Sequence, residues 1–189
     1  MSSILKVDQL QDSGGNAIIT SNGSGTITVN SQPFKNGITE VDQWRLTADL
    51  GSNIDPISSN LERVDTDGGG YLGTGMSVSS GTFTFPSTGL WRVSAFMFVQ
   101  AIPNDNVGIY ITTTTNNSTY SASALMFSSG DGGSLGDGSG HCEFNFNVTD
   151  TTTHKVRFRA LSISSGSLIK GSSSANETCF TFIRLGDSV

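Results

Sequence analysis

The chain has 189 residues, enough for one full hydrophobic core and a short extra segment but not for two ordinary domains. Only 14% of the residues are charged, the net charge is −6, and 23 glycines stand among many Ser, Thr and Asn. A helical protein would need more Glu, Lys, Ala and Leu, and a nucleic-acid binder would need a cationic face to replace phosphate counterions, so both classes are excluded.

The first thirty-six residues hold three short apolar runs, Ile4-Leu5-Lys6-Val7-Asp8, Ala17-Ile18-Ile19-Thr20 and Thr26-Ile27-Thr28-Val29, separated by turn-forming stretches at 12–16 and 21–25. Strands this short bury too little surface to stand alone. Residues 1–36 therefore read as an N-terminal docking arm with little regular structure, meeting its partner through Ile4, Leu5, Val7, Ile18 and Ile19, with 33–37 as the junction. Residues 37–189 form the main domain. In it, 41–50 carries Trp44 and Leu46 at alternate places and is predicted as a strand, followed by 61–65 and the flexible run Asp67-Gly68-Gly69-Gly70.

Gly81-Thr82-Phe83-Thr84-Phe85 alternates small or polar residues with Phe, the period of a half-buried strand. Pro86 ends that ladder because it has no N–H to donate, and Ser87-Thr88-Gly89 supplies a tight turn. Alternation then resumes, with Trp91, Val93, Ala95, Met97 and Val99 on one face. Residues 107–113 pair with 120–127, and 128–140, mostly Ser, Gly and Asp, read as a long exposed loop. A third hairpin joins 142–148 to 155–163, and 178–185 closes the chain. The closing strand is too apolar for an exposed edge and is placed centrally. Strands at this spacing indicate an all-β sandwich or jelly roll.

Chemistry is sparse. His154 starts a strand after a turn and is expected to be exposed; His141 adjoins Cys142, but neighbours in a strand point to opposite faces, which opposes a Cys/His pair. Cys142 and Cys179 sit in alternating apolar runs as buried free thiols, although the sequence leaves a disulfide between them open. Asp65-Thr66-Asp67-Gly68 begins like a calcium loop but lacks the other ligands, and Asp131 with Asp137 is a weaker pair. No metal, no cofactor and no catalytic constellation is expected. Tyr71, among glycines, and Tyr120, beside the polar loops at 114–119 and 128–140, are the candidate ligand surface. Tyr110, Phe127, Phe144, Phe146, Phe158, Phe180 and Phe182 exceed what a small sandwich needs and are assigned to the core or to a subunit interface, where aromatics are enriched. No apolar stretch is long enough to span a membrane, and the first residues lack the apolar core of a signal peptide, so neither export nor membrane insertion is expected.

The 81–91 stretch and the closing Cys179-Phe180-Thr181-Phe182-Ile183-Arg184-Leu185 resemble the jelly roll shared by complement globular heads and tumour necrosis factor, with Trp91 where that family usually has tyrosine. A second resemblance is to virion proteins of marine and cyanobacterial tailed phages. It is carried by Ser3-Ile4-Leu5-Lys6-Val7-Asp8-Gln9-Leu10-Gln11-Asp12, Gly15-Asn16-Ala17-Ile18-Ile19, Asp42-Gln43-Trp44-Arg45-Leu46-Thr47 and Asn60-Leu61-Glu62-Arg63-Val64-Asp65. These resemblances imply a homotrimer made in the host cytoplasm and built into the virion. Its arm would dock on a capsid or tail protein, as a head decoration, head fibre or small tail-associated fibre, with the jelly roll outward. The alternative they leave is an adhesin that recognises host surface glycans.

Overall fold

The computed structural model describes residues 7–29, 37–130 and 134–189, and among them it contains strands and no helix. The chain divides into two compact units, Met1–Gly37 and Ile38–Val189. Ile4 and Leu5 of the expected docking set, Asp131 and most of the junction lie outside the described residues.

The first unit has little regular structure beyond an antiparallel meander of β1 (Gln9–Gln11), β2 (Ala17–Ser21) and β3 (Ile27–Val29). Its first reversal is closed by Asp12, whose carboxylate accepts the backbone N–H of Gly14 at 2.8 Å and of Asn16 at 2.9 Å. These bonds hold the Asp12 carboxyl below its ordinary value, the Asn16 side-chain bond contributing most. Val7, Leu10, Ile19 and Ile27 are exposed, while Ile18 is half-buried.

The second unit packs two antiparallel sheets face to face. Its strands are β4 (Val41–Leu46), β5 (Leu61–Arg63), β6 (Ser77–Ser79), β7 (Thr82–Thr84), β8 (Gly89–Ala101), β9 (Asn106–Thr114), β10 (Ser121–Ser129), β11 (Gly136–Val148), β12 (Lys155–Leu161), β13 (Leu168–Ile169) and β14 (Cys179–Gly186). One sheet runs β11-β8-β14-β4-β5, with β13 also pairing β8, and the other runs β10-β9-β12-β7-β6. The closing strand β14 lies between β8 and β4, the central place its sequence requires. In β8 the expected inward face, Trp91, Val93, Ala95, Met97 and Val99, is at most 1% exposed. The layers meet through aromatic rings: Phe158 of β12 stacks on Phe180 of β14 with centroids 3.9 Å apart, and Phe83 of β7 lies 5.1 Å from Phe182.

The turn before β8 forms as its wording suggests, but the strands on either side of it do not pair as a hairpin. Strand β7 lies between β12 and β6 in one sheet and β8 between β11 and β14 in the other, so the chain crosses here from layer to layer. Trp91 donates its indole N–H to the Ser87 carbonyl at 3.2 Å. Gly89 has φ 150°, and a Cβ there would collide with the Gly186 carbonyl and the Arg184 guanidinium.

Three further expectations are corrected. The third hairpin does not form: β11 pairs with β8 whereas β12 pairs with β9 and β7, so 142–148 and 155–163 belong to opposite sheets. The stretch 128–140 is not one long loop: β10 continues to Ser129, and β11 begins at Gly136 and pairs with β8 along its whole length. Gly138 and Gly140 are strand residues packed against β10: a Cβ at 138 would collide with the Ser128 hydroxyl and one at 140 would press on the Met126 side chain, so glycine here marks close packing rather than a turn. His154 is not exposed. It is buried, its ring stacked on Phe146 with centroids 5.5 Å apart and its nitrogens within hydrogen-bond reach of the Thr149 and Thr153 hydroxyls.

Candidate functional site

Tyr71 and Tyr120 are each backed by an arginine, but on different sheets. Tyr71 is 51% exposed and covers the guanidinium of Arg63 at 4.4 Å, and the same guanidinium faces the Trp44 ring at 5.1 Å. Asp42 fixes this stack from below: its carboxylate, 1% exposed, accepts Arg63 at 3.0 and 3.1 Å, the Trp44 indole N–H at 3.0 Å and the Met76 N–H at 2.6 Å. Tyr120 lies instead over Arg157 of β12, the guanidinium 3.7 Å from its ring. A common surface therefore does not form around these two tyrosines alone.

The seven aromatics divide by depth. Phe146, Phe158, Phe180 and Phe182 belong to the core between the sheets. Phe144 packs half-buried against that core. Tyr110 and Phe127 form an edge-to-face pair, centroids 5.8 Å apart, with Phe127 39% exposed. Sequence reasoning passed over a further pair. Phe96 and Phe98 lie on the face of β8 opposite its core residues, and Phe96 is 37% exposed. The register places His141 and Cys179 on either side of Phe96, with Thr181 and Ile183 further along the same face. The signal was present in the alternation, since two phenylalanines out of phase with an apolar face mark an uncovered one.

His141 is exposed and Cys142 buried, so strand geometry separates them. Cys142 and Cys179 are free. They lie on the two strands flanking β8, opposite Ala95 and Phe96, which puts them about two strand spacings, roughly 10 Å, apart. That exceeds the roughly 7 Å reach of a disulfide between α-carbons. Burial pushes the Cys142 thiol up to about 11 and raises that of Cys179. At pH 8 both stay protonated and inert. An aromatic disulfide reagent is expected to leave both unlabelled in the native protein and to label both in urea; rapid native labelling would contradict this burial. Among the described residues no three His, Cys, Asp or Glu side chains gather as metal ligands would. Asp65, the first acid of the calcium-like stretch, is engaged by Arg45 at 2.7 Å.

The order of the strands decides the fold. Sequentially distant β14 threads between β8 and β4, and the two five-stranded paths face each other across one aromatic core. The fold is a tumour-necrosis-factor-like jelly roll. The crystal structure of murine APRIL at pH 5.0 is similar to it with a TM-score of 0.57 and 10% identity, over 77% of this chain and 98% of that chain. The structure of Eiger TNF from S. frugiperda is similar with a TM-score of 0.57 and 9% identity, over 79% of this chain and 94% of that chain. No protein-family model and no curated protein sequence matches the chain. The likeness is one of backbone rather than of wording: a jelly roll preserves strand order and layer packing while its side chains diverge.

Proposed function

We propose that the chain is a non-enzymatic virion structural protein of a tailed phage. It would act as a homotrimer that docks through its N-terminal unit and presents the jelly roll outward. The observation that carries this reading is the two-unit organisation. The second unit has a complete core of its own, whereas the first is a three-stranded sheet with Val7, Leu10 and Ile27 more than half exposed. A sheet that small gains stability by covering its apolar side chains with a partner. The exposed Phe96, with the half-buried Phe98 on the same face of β8, supplies the matching argument for self-association, because an exposed aromatic face suits a subunit contact.

Sedimentation and truncation test the proposal. The purified protein is expected to sediment as a trimer. Deleting 1–36 is expected to leave a folded jelly roll that no longer co-sediments with phage particles when supplied during infection. A monomer would remove the trimer, an unfolded truncation product would remove the two-unit division, and unchanged incorporation would remove the docking role.

A further inference from the structure

Independently of the virion reading, the outer face of β12 carries a stripe of cations at alternate positions that no other strand among the described residues repeats. Val156, Phe158 and Ala160 point into the core and are at most 1% exposed. Lys155, Arg157 and Arg159 therefore project from the opposite face, at alternate positions about 6.7 Å apart. The register sets Lys155 between Thr84 and Thr114, Arg157 between Thr82 and Thr112, and Arg159 beside Tyr110. Two tyrosines complete the stripe: the Arg157 guanidinium lies 3.7 Å from the Tyr120 ring and that of Arg159 lies 4.8 Å from the Tyr110 ring.

The charge of this stripe is poorly neutralised in a chain of net charge −6. Arg45, Arg63, Arg92, Lys170 and Arg184 each have a carboxylate within 4 Å. Among the described residues neither Lys155 nor Arg157 has one, and Arg159 has only the half-exposed Asp55 at 3.6 Å. Asp150 is the other acid acting on the stripe, at Lys155. Arg157 donates its Nε to Thr82 at 2.8 Å, which leaves the two outer nitrogens of its fork for a ligand. Lys155, 8% exposed, donates to the Thr84 hydroxyl and the Thr151 carbonyl. The Arg159 Nε and the Tyr120 hydroxyl are buried with no hydrogen-bond partner.

We propose that this stripe binds an acidic polysaccharide along β12. Guanidinium forks take carboxylate or sulfate groups with paired hydrogen bonds. On the β7 side the half-buried Thr82 and Thr84 hydroxyls can meet ring hydroxyls, whereas Thr112 and Thr114 on the β9 side are buried, and the tyrosine rings offer flat apolar walls to the C–H faces of the sugars. Arg157 and Arg159, about 6.7 Å apart, are the two cations that can reach a polymer, and the buried Lys155 adds its charge from beneath. A nucleic acid, which binds mainly by releasing counterions at many phosphates, gains little from so few cations.

Titration of the full-length protein with alginate (carboxylated), dextran sulfate (sulfated), neutral dextran and a single-stranded oligothymidylate tests the inference. The wild type is expected to bind at least one acidic polysaccharide, more weakly as salt rises. Binding of only one of them would support the inference and identify the acid. The double variant Arg157→Gln/Arg159→Gln is expected to lose at least tenfold in affinity. Arg157→Lys, which keeps the charge but not the fork, is expected to lose less. Lys170→Gln, which removes a cation paired to Asp49 elsewhere, is expected to leave affinity unchanged. Melting curves identify variants that fail to fold, and for these the salt series on the wild type and the Arg157→Lys result carry the test. No preference of the wild type for acidic over neutral polymer, wild-type affinity in the folded double variant, or tighter binding of oligothymidylate would each overturn the inference.

Discussion

Phe158→Ala is expected to destabilise the jelly roll by about 3–5 kcal/mol, the usual cost of truncating a fully enclosed aromatic. Phe158 is 1% exposed and belongs to β12, yet its ring partners lie in both sheets: Phe83 at 5.6 Å on its own side, and Phe180 at 3.9 Å and Phe182 at 6.0 Å across the core. The loss therefore includes burial of the ring, the pair geometry worth about 0.5–1.5 kcal/mol per aromatic contact, and a cavity that two facing sheets cannot easily close. With a urea slope of about 2 kcal/mol/M, the unfolding midpoint should fall by roughly 1.5–2.5 M, read by tryptophan fluorescence at fixed protein concentration. Phe127→Ala is the control. That ring is 39% exposed and rests on Gly108 and Tyr110, so its removal should cost far less. Equal costs at the two positions would mean that the core is not where these sheets place it.

Period-two alternation carried most of the fold. It identified the inward face of β8 residue by residue, and the apolar wording of β14 required a central position before any pairing was known. Local chemistry also located the turn at Ser87 and the separation of His141 from Cys142. What alternation could not reach was anything decided by a distant partner. The glycines at 138 and 140 look like loop residues until Met126 and Ser128 are seen packed against them. His154 looks like a surface residue until Phe146 stacks on its ring. The β12 stripe was present in the sequence as Lys155, Arg157 and Arg159 at every second place. Its significance depends on which acids lie within 4 Å, and that is a property of the fold. Asp42 is the plainest case, because a lone acid in a strand reads as solvated until its arginine, 21 residues away, is brought beside it.

Asp42→Ala is accordingly the second substitution expected to be costly. The carboxylate is fully enclosed and satisfies three donors at once, the Arg63 guanidinium, the Trp44 indole and the Met76 amide. Removing one partner of a buried ion pair costs about 3–5 kcal/mol when the other stays enclosed. The Arg63 side chain is 31% exposed and can recover part of its hydration, so about 3 kcal/mol is expected here. Asp42→Asn should rescue only part of the loss, because its carbonyl oxygen can take the place of Oδ2 and accept from Trp44, Met76 and the Arg63 Nη2, while its NH2 group would face the Arg63 Nε–H and the negative charge is gone. Arg63→Met leaves the deeper group uncompensated, and the double variant Asp42→Ala/Arg63→Met should be less destabilised than the sum of the singles by about 1–3 kcal/mol. Additive costs would show that the ion pair contributes nothing beyond packing. The same substitution separates stability from surface order. Tyr71 lies on the Arg63 guanidinium, so amide exchange around 69–76 should accelerate in Asp42→Ala while exchange in β8 and β14, held by the aromatic core, changes far less.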